Sequence, residues 1–444
     1  MMIKTYTVDE ARKSILKREL GSANKNLRSE AITPEESVKA IVKDVKERKD
    51  TALKDWTLKF DKVDIDQFEL LDIDFKKYVS SINPKLREAL EIACERIYNF
   101  HKSQPVISWM NYKLGGQIGQ IVKPIETIGI YIPGGMAPLF SSILMAALPA
   151  IVAGVKNIIF SSPPNKQGTL PNIILATFGL IKKYDINMRI FRIGGAQAIA
   201  AMAFGTEQVP RVDKIVGPGN IYVNLAKKEV YGSVGIDGIY GPTEALVIAD
   251  ETANPLLVAS DLLAQAEHDI LAIPILVTSS EDLISSVKKE LERQIITLKG
   301  KAIIKESIQS NGGIILTNSI EESIQISNEF APEHLSLMVK EPMTVLDKIE
   351  NAGGIFIGEN SFEVLGDYIA GPSHVMPTNG TARFSSALSV YDFIKRISYV
   401  YLNEETALDL SKHAEIIANS EDLTGHANAA ALRTTLNKNA KEGS

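Results

Sequence analysis

Four short apolar runs between residues 126 and 220 each close on glycine or proline: ETIGIYIPGG, KNIIFSSPP, NMRIFRIGG and VDKIVGPGN. Most give way to a helix-like stretch. This alternation constrains the fold more than any other feature of the chain. Strands separated by helices lie side by side and parallel, with helices on both faces of the sheet. A second series repeats the pattern: EALVIAD, IPILVTSS, GGIILTNS, LSLMV and GGIFIG. The expectation is an α/β chain with two doubly wound, Rossmann-like parallel-sheet domains, at residues 126–240 and 241–384. Residues 1–125 read as a mostly helical region that joins the second of these domains. There PEESVKAIVKDVKERKD and NPKLREALEIACERIYNFHKS carry apolar residues at i, i+3 and i+4. Residues 385–444 read as a helical tail.

Composition closes off several function classes. At 444 residues the chain has room for two or three cores. A net charge of -6 and a pI near 5.7 argue against nucleic acid and anionic membranes as partners. The N-terminus is charged throughout and lacks the apolar core of a signal peptide. Thr127 to Val155 carries no charge, but Pro133, Gly134, Gly135, Pro138 and Pro149 interrupt it, so it reads as a buried strand and helix. The single cysteine, Cys94, rules out an intramolecular disulfide and fits the reducing cytoplasm. Its place among Leu90, Ile92 and Ile97 marks it as a buried structural thiol.

Three strand-to-helix junctions carry glycine: Tyr131-Ile-Pro-Gly-Gly135, Gly194-Gly-Ala-Gln197 and Gly217-Pro-Gly-Asn220. Glycine at the carboxyl end of a strand lets backbone amides approach an anion, which is where such sheets bind nucleotides. None is a GxGxxG fingerprint, and each alone reads equally well as a tight turn. Three in one domain favour a ligand.

The histidines form the other signal. Glu333 and His334 stand side by side in EFAPEHLSLM, just before an apolar run. His268 shares a helix face with Gln265 in DLLAQAEHD. Asp367 and His374 lie in GDYIAGPSHVMPT, and His426 in EDLTGHANAA. His101 and His413 sit in plain charged helices and read as surface residues. Nitrogen and carboxylate donors suit Zn²⁺ or a similar divalent ion. There is no HExxH or CxxC, so the local chemistry alone favours scattered histidines satisfied by hydrogen bonds over a metal site.

Longer blocks carry a resemblance. YIPGGMAPLFSS, GGAQAIAAMAFGTEQVPRVDKIVGPGN, GPTEALVIADETANP, DLLAQAEHD, EFAPEHL, GDYIAGPSHVMPTNGTARFSSALSV and LTGHANAAALR are similar, in order, to the histidinol dehydrogenase family. The resemblance covers nearly the whole chain and is weakest over the first 100 residues or so. It implies oxidation of L-histidinol to L-histidine through an aldehyde with two NAD⁺, as the last steps of histidine biosynthesis. It implies a zinc held by Gln265, His268, Asp367 and His426, and bound by the substrate's amino and imidazole nitrogens. It gives Glu333 and His334 the acid–base chemistry: His334 for the carbinol proton, Glu333 for activating the water that attacks the aldehyde. Thr243, His374 and Glu421 match substrate contacts, alongside Gln265, His268, His334, Asp367 and His426. Tyr131, Gln197 and Asn220 match NAD contacts, one at each glycine junction. It also implies a homodimer with shared active sites, in which Glu421 and His426 complete the partner's cleft.

Gly425 and Asp422 depart from the family pattern, which commonly has alanine and glycine there. Both flank matched residues, and a Gly-His at that point also occurs in paralogues acting on other small alcohols, such as sulfonated propanediols. Against that substrate, Ala331-Pro332-Glu333-His334 and ARFSSALSV match the biosynthetic enzyme. A zinc hydrolase using Glu333 on a metal-bound water explains the ligand set but leaves the glycine junctions idle. A catalytically dead binding protein conflicts with every matched catalytic position being occupied.

Overall fold

The computed structural model describes residues 3–18, 33–134 and 139–442. The chain divides into two compact units, Met1–Gln104 with Ile125–Phe393, and Pro105–Pro124 with Ile394–Ser444.

The larger unit contains two parallel sheets. In the first, β4 (Thr127–Tyr131), β5 (Asn157–Ser161), β6 (Asn187–Phe191), β7 (Lys214–Val216) and β8 (Gly235–Ile236) lie in the order β6-β5-β4-β7-β8. The second joins β1 (Lys4–Thr7), β9 (Glu244–Ala249), β10 (Ile273–Thr278), β11 (Gly313–Leu316), β12 (His334–Met338) and β13 (Gly354–Ile357) in the order β1-β11-β10-β9-β12-β13. Setting β1 aside, the two orders are the same doubly wound path. Each winds outward from its first strand, β4 or β9, and then reverses at β7 or β12. All residues of β9, β10 and β12 are buried. Two apolar layers, one on each face, account for strands with no polar alternation.

The N-terminal helices pack where the sequence reading did not put them. In helix Pro34–Arg48, Val38, Ile41, Val42 and Val45 form one stripe and join the layer of Ala198–Ala203 on the five-stranded sheet. In helix Pro84–Lys102, Leu90, Ala93, Cys94 and Ile97 join the layer on the other face of that sheet. Among the described N-terminal residues it is the extreme N-terminus that serves the second sheet: β1 pairs with the edge strand β11, and Ala11 enters that core. The reason is that an amphipathic stripe specifies burial but not the surface that buries it. His101 is buried, not on the surface, and its Nδ1 lies 3.0 Å from Gln104 Oε1. Cys94 is fully buried, and burial raises its thiol to about 11.

The smaller unit is an antiparallel sheet, in the order β14-β3-β2, with two helices. Its strands are β2 (Trp109–Asn111), β3 (Gly116–Pro124) and β14 (Ile394–Leu402), and its helices are Glu404–Ser420 and Thr424–Glu442. The start of the expected helical tail is therefore a strand. IKRISYVYL is rich in β-branched and aromatic residues. Its partner β3 lies far earlier in the chain, beyond the reach of local reading.

Candidate active site

The polar residues of the second sheet gather at the amino ends of its strands, not at the carboxyl ends where such sheets usually bind ligands. Helix Ile320–Phe330 stops at Ala331, which takes a left-handed backbone with φ 52° and returns its N–H to Ser327 O at 2.7 Å. Pro332 and Glu333 then lead into β12. Their carbonyls accept from Gly353 and Gly354, each at 2.9 Å. A Cβ at Gly353 would stand 2.6 Å from Glu333 O, so glycine is what allows this approach. His334 opens β12 between Ala245 and Gly354 of its two neighbours.

Glu333 Oε2 accepts the Glu244 N–H at 3.1 Å and lies 2.8 Å from Thr243 Oγ1. The Thr243 oxygen lies another 2.8 Å from Gln265 Oε1. Burial raises the Glu333 carboxyl to about 7, against the pull of the His334 charge, the Glu244 amide and the Thr243 hydroxyl. His334 Nδ1 donates to Glu244 O at 3.1 Å, which leaves Nε2 facing Asp367 Oδ1 at 3.3 Å. Burial opposes a charge on this ring, but the carboxylates of Glu333 and Asp367 outweigh it and hold the imidazole near 10. Asp367 stays low despite burial because of His334, His374 and the exposed His268. His374 Nδ1 donates to Asp367 O at 2.8 Å. Burial lowers its pKa and favours a neutral ring whose Nε2 is an acceptor, with the Ser142 hydroxyl 3.5 Å away. Thr243, Gln265, Glu333, His334, Asp367 and His374 thus form one linked neighbourhood. The scaffold behind it is Glu244, fully buried, with its carboxylate gripped by Arg18 at 2.5 and 2.9 Å.

Tyr131, Gln197 and Asn220 line a different cavity of about 700 Å³, at the carboxyl ends of the five-stranded sheet. Tyr131 Oη accepts the Gly195 N–H at 3.1 Å, and burial raises its phenol to about 12. Asn220 caps helix Ile221–Val230, accepting from the Tyr222 and Val223 amides. Gln197 is buried with Oε1 unpartnered. A Cβ at Gly217 would meet Tyr131 O at 2.3 Å, so this glycine serves close packing of β4 against the turn after β7. The reading of that junction as a tight turn holds beside any ligand role. Glu421 and His426 belong to the smaller unit and are exposed on it.

A profile of the histidinol dehydrogenase family matches residues 24–434. The histidinol dehydrogenase of Bacillus cereus (strain ATCC 14579) is 46% identical over 426 residues, covering 96% of this chain and 98% of the relative. That of Clostridium acetobutylicum is 48% identical over 399 residues, covering 89% and 91%. The crystal structure of histidinol dehydrogenase from Elizabethkingia anophelis superposes with a TM-score of 0.90 at 37% identity, covering 98% of this chain and 99% of that one.

The chain belongs to the histidinol dehydrogenase family. It is therefore an oxidoreductase, and the family's doubly wound architecture is the one seen here.

The residues fit a bound divalent cation. Among the described residues, no group of three or more His, Cys, Asp and Glu side chains is arranged as a metal cage. The expected set needs none within one unit: the larger unit supplies one imidazole, His268, one carboxylate, Asp367, and the amide of Gln265. The Gln265 amide is 1% exposed, and its nitrogen end faces the buried Glu363 carboxyl. Turning the amide by half a revolution lets nitrogen donate to Thr243 and presents oxygen in its place. Oxygen and nitrogen donors of this kind suit zinc.

Three neighbours escaped the sequence reading. Glu363 is fully buried beside the Gln265 amide, and burial raises its pKa well above the ordinary range. Its place four residues before Asp367 on helix Glu363–Tyr368 was a usable signal. Arg18 and Asp61 offered none, because both reach their sites from distant segments.

Proposed function

We propose that the protein oxidises L-histidinol to L-histidine through L-histidinaldehyde, reducing two NAD⁺, in the cytoplasm. The observation that carries this is the adjacent Glu333–His334 pair, each member with its own partners. Bound zinc would anchor the substrate's nitrogens and neutralise Asp367, one of the carboxylates that keep His334 protonated. Bound NAD⁺ would accept a hydride in each oxidation. His334, with Nδ1 fixed on the Glu244 carbonyl, presents Nε2 as the atom that takes the carbinol proton. Glu333, raised toward neutrality by burial, takes the proton of the water that adds to the aldehyde. Thr243 orients the Glu333 carboxylate and, with His374, contacts substrate. Tyr131, Gln197 and Asn220 hold the dinucleotide.

The metal set we propose is Gln265, His268 and Asp367 of one subunit with His426 of a second copy, which also brings Glu421 to the substrate. The smaller unit supports this: Trp109, Met110, Val400 and Tyr401 leave apolar side chains exposed on both faces of its sheet, and Ile416 and Ile417 on its helix, surface that a partner copy would cover.

The Glu333→Gln variant tests the division of roles. It should oxidise L-histidinaldehyde far more slowly than the parent enzyme while retaining most of the first oxidation, because only the second step needs an activated water. His334→Asn should impair both. Equal loss of the two half-reactions in Glu333→Gln would overturn the assignment.

A further inference from the structure

The cavity at the carboxyl ends of the five-stranded sheet has a wall that the sheet does not build. Phe60 and Asp61, at the end of helix Asp50–Asp61, line it together with Tyr131, Gln197 and Asn220. Asp61 Oδ2 is shielded from solvent and has no hydrogen-bond partner among the described residues. Burial alone raises its carboxyl to about 6, with no cation among the described residues offsetting it. Lys166, the one cation on the described lining, is exposed and forms no ion pair with Asp61. Gln197 Oε1, in the same cavity, is a second buried acceptor without a donor. Two orphaned acceptors ask for a ligand that brings hydroxyl or amide donors.

Doubly wound sheets commonly place an acid at the end of the second strand, where it takes a ribose hydroxyl. Here the second strand of the winding, β5, runs into Ser162-Pro163-Pro164-Asn165-Lys166, which contains no acid. The position is vacant within the sheet, and a carboxylate arrives from outside it.

We propose that Asp61 accepts a ribose hydroxyl of the dinucleotide and turns away a dinucleotide bearing a 2′-phosphate. This rests on the reading of the cavity as the NAD⁺ site. A carboxylate that hydrogen-bonds a 2′-hydroxyl stands where a 2′-phosphate would bring about two further negative charges, with no buried cation on the described lining to receive them. Discrimination then comes as much from repulsion as from the hydrogen bond.

Calorimetric titration of the full-length protein with NAD⁺ and NADP⁺ reads this directly. The parent should bind NAD⁺ about 100-fold more tightly than NADP⁺, or better. Asp61→Asn should narrow that gap to about tenfold or less, chiefly by tighter NADP⁺ binding. Asp61→Ala should weaken NAD⁺ by about tenfold. A folded Asp61→Asn variant that discriminates as the parent does would overturn the proposal. So would a parent that binds adenosine 2′,5′-bisphosphate as tightly as AMP, a comparison that needs no variant. Failure of the underlying reading looks different: a Gln197→Leu protein that binds NAD⁺ with parental affinity puts the dinucleotide elsewhere.

Discussion

Replacing Arg18 with methionine isolates what one residue does for the frame of the active site. Its guanidinium holds both oxygens of Glu244, at 2.5 and 2.9 Å, and donates to Phe330 O at 2.5 Å. It also lies 3.8 Å from the centre of the Phe330 ring. Glu244 is 0% exposed and has one other donor among the described residues, the Asn379 amide at 3.0 Å. Methionine keeps much of the side-chain volume and removes every charged donor. The carboxylate is then buried with a single backbone partner. Breaking a buried pair in this way costs about 3–5 kcal/mol. The side chain of Arg18 is only 13% exposed, so water offsets little of it. Against a total stability on the order of 10 kcal/mol the loss is large. Urea unfolding should show a lower midpoint with an unchanged slope. Turnover should fall as well under native conditions, because the carbonyl of Glu244 fixes the His334 ring. Adding Glu244→Gln to Arg18→Met should recover about half of the loss or more, since no charge is left stranded. A loss below about 1 kcal/mol, typical of an exposed pair, would refute the reasoning. A double variant no more stable than Arg18→Met would also refute it.

Chelation should abolish turnover with little loss of helical circular dichroism, and added Zn²⁺ should restore activity. The larger unit has extensive apolar cores and needs no metal to fold, so global unfolding on chelation would contradict this. If sites are shared between subunits, His334→Asn and His426→Asn should complement each other. After joint refolding about half of the dimers are mixed, and about a quarter of all sites are free of lesions. Mixed dimers without activity would mean that His426 serves its own subunit.

How far the sequence could be read differs sharply between segments. Strands β4–β7 and β9–β13 were legible because each is a short apolar run closed by turn residues, and their alternation with helices implied parallel sheets. The destination of helix Pro34–Arg48 was not legible, since its stripe of Val38, Ile41 and Val45 suits either sheet. β14 was missed because it depends on pairing with residues 116–124, nearly 300 positions earlier. The closeness of Thr243, Gln265, Glu333, His334, Asp367 and His374 came from resemblance, not from spacing. Five of these six stand at, or one residue from, the ends of elements whose assembly only the folded chain shows. Arg18 and Asp61 carry no local signal at all. Their roles exist only because N-terminal segments come back onto strands laid down much later.

The most direct test of the central claim is the stoichiometry of reduction. Purified protein is incubated with a limiting, known amount of L-histidinol and excess NAD⁺, and NADH is counted by absorbance while the product is identified. The account expects two NADH and one L-histidine per L-histidinol consumed. A single NADH with aldehyde accumulating would remove the second oxidation from this site, and no NADH at all would contradict the assignment as a whole.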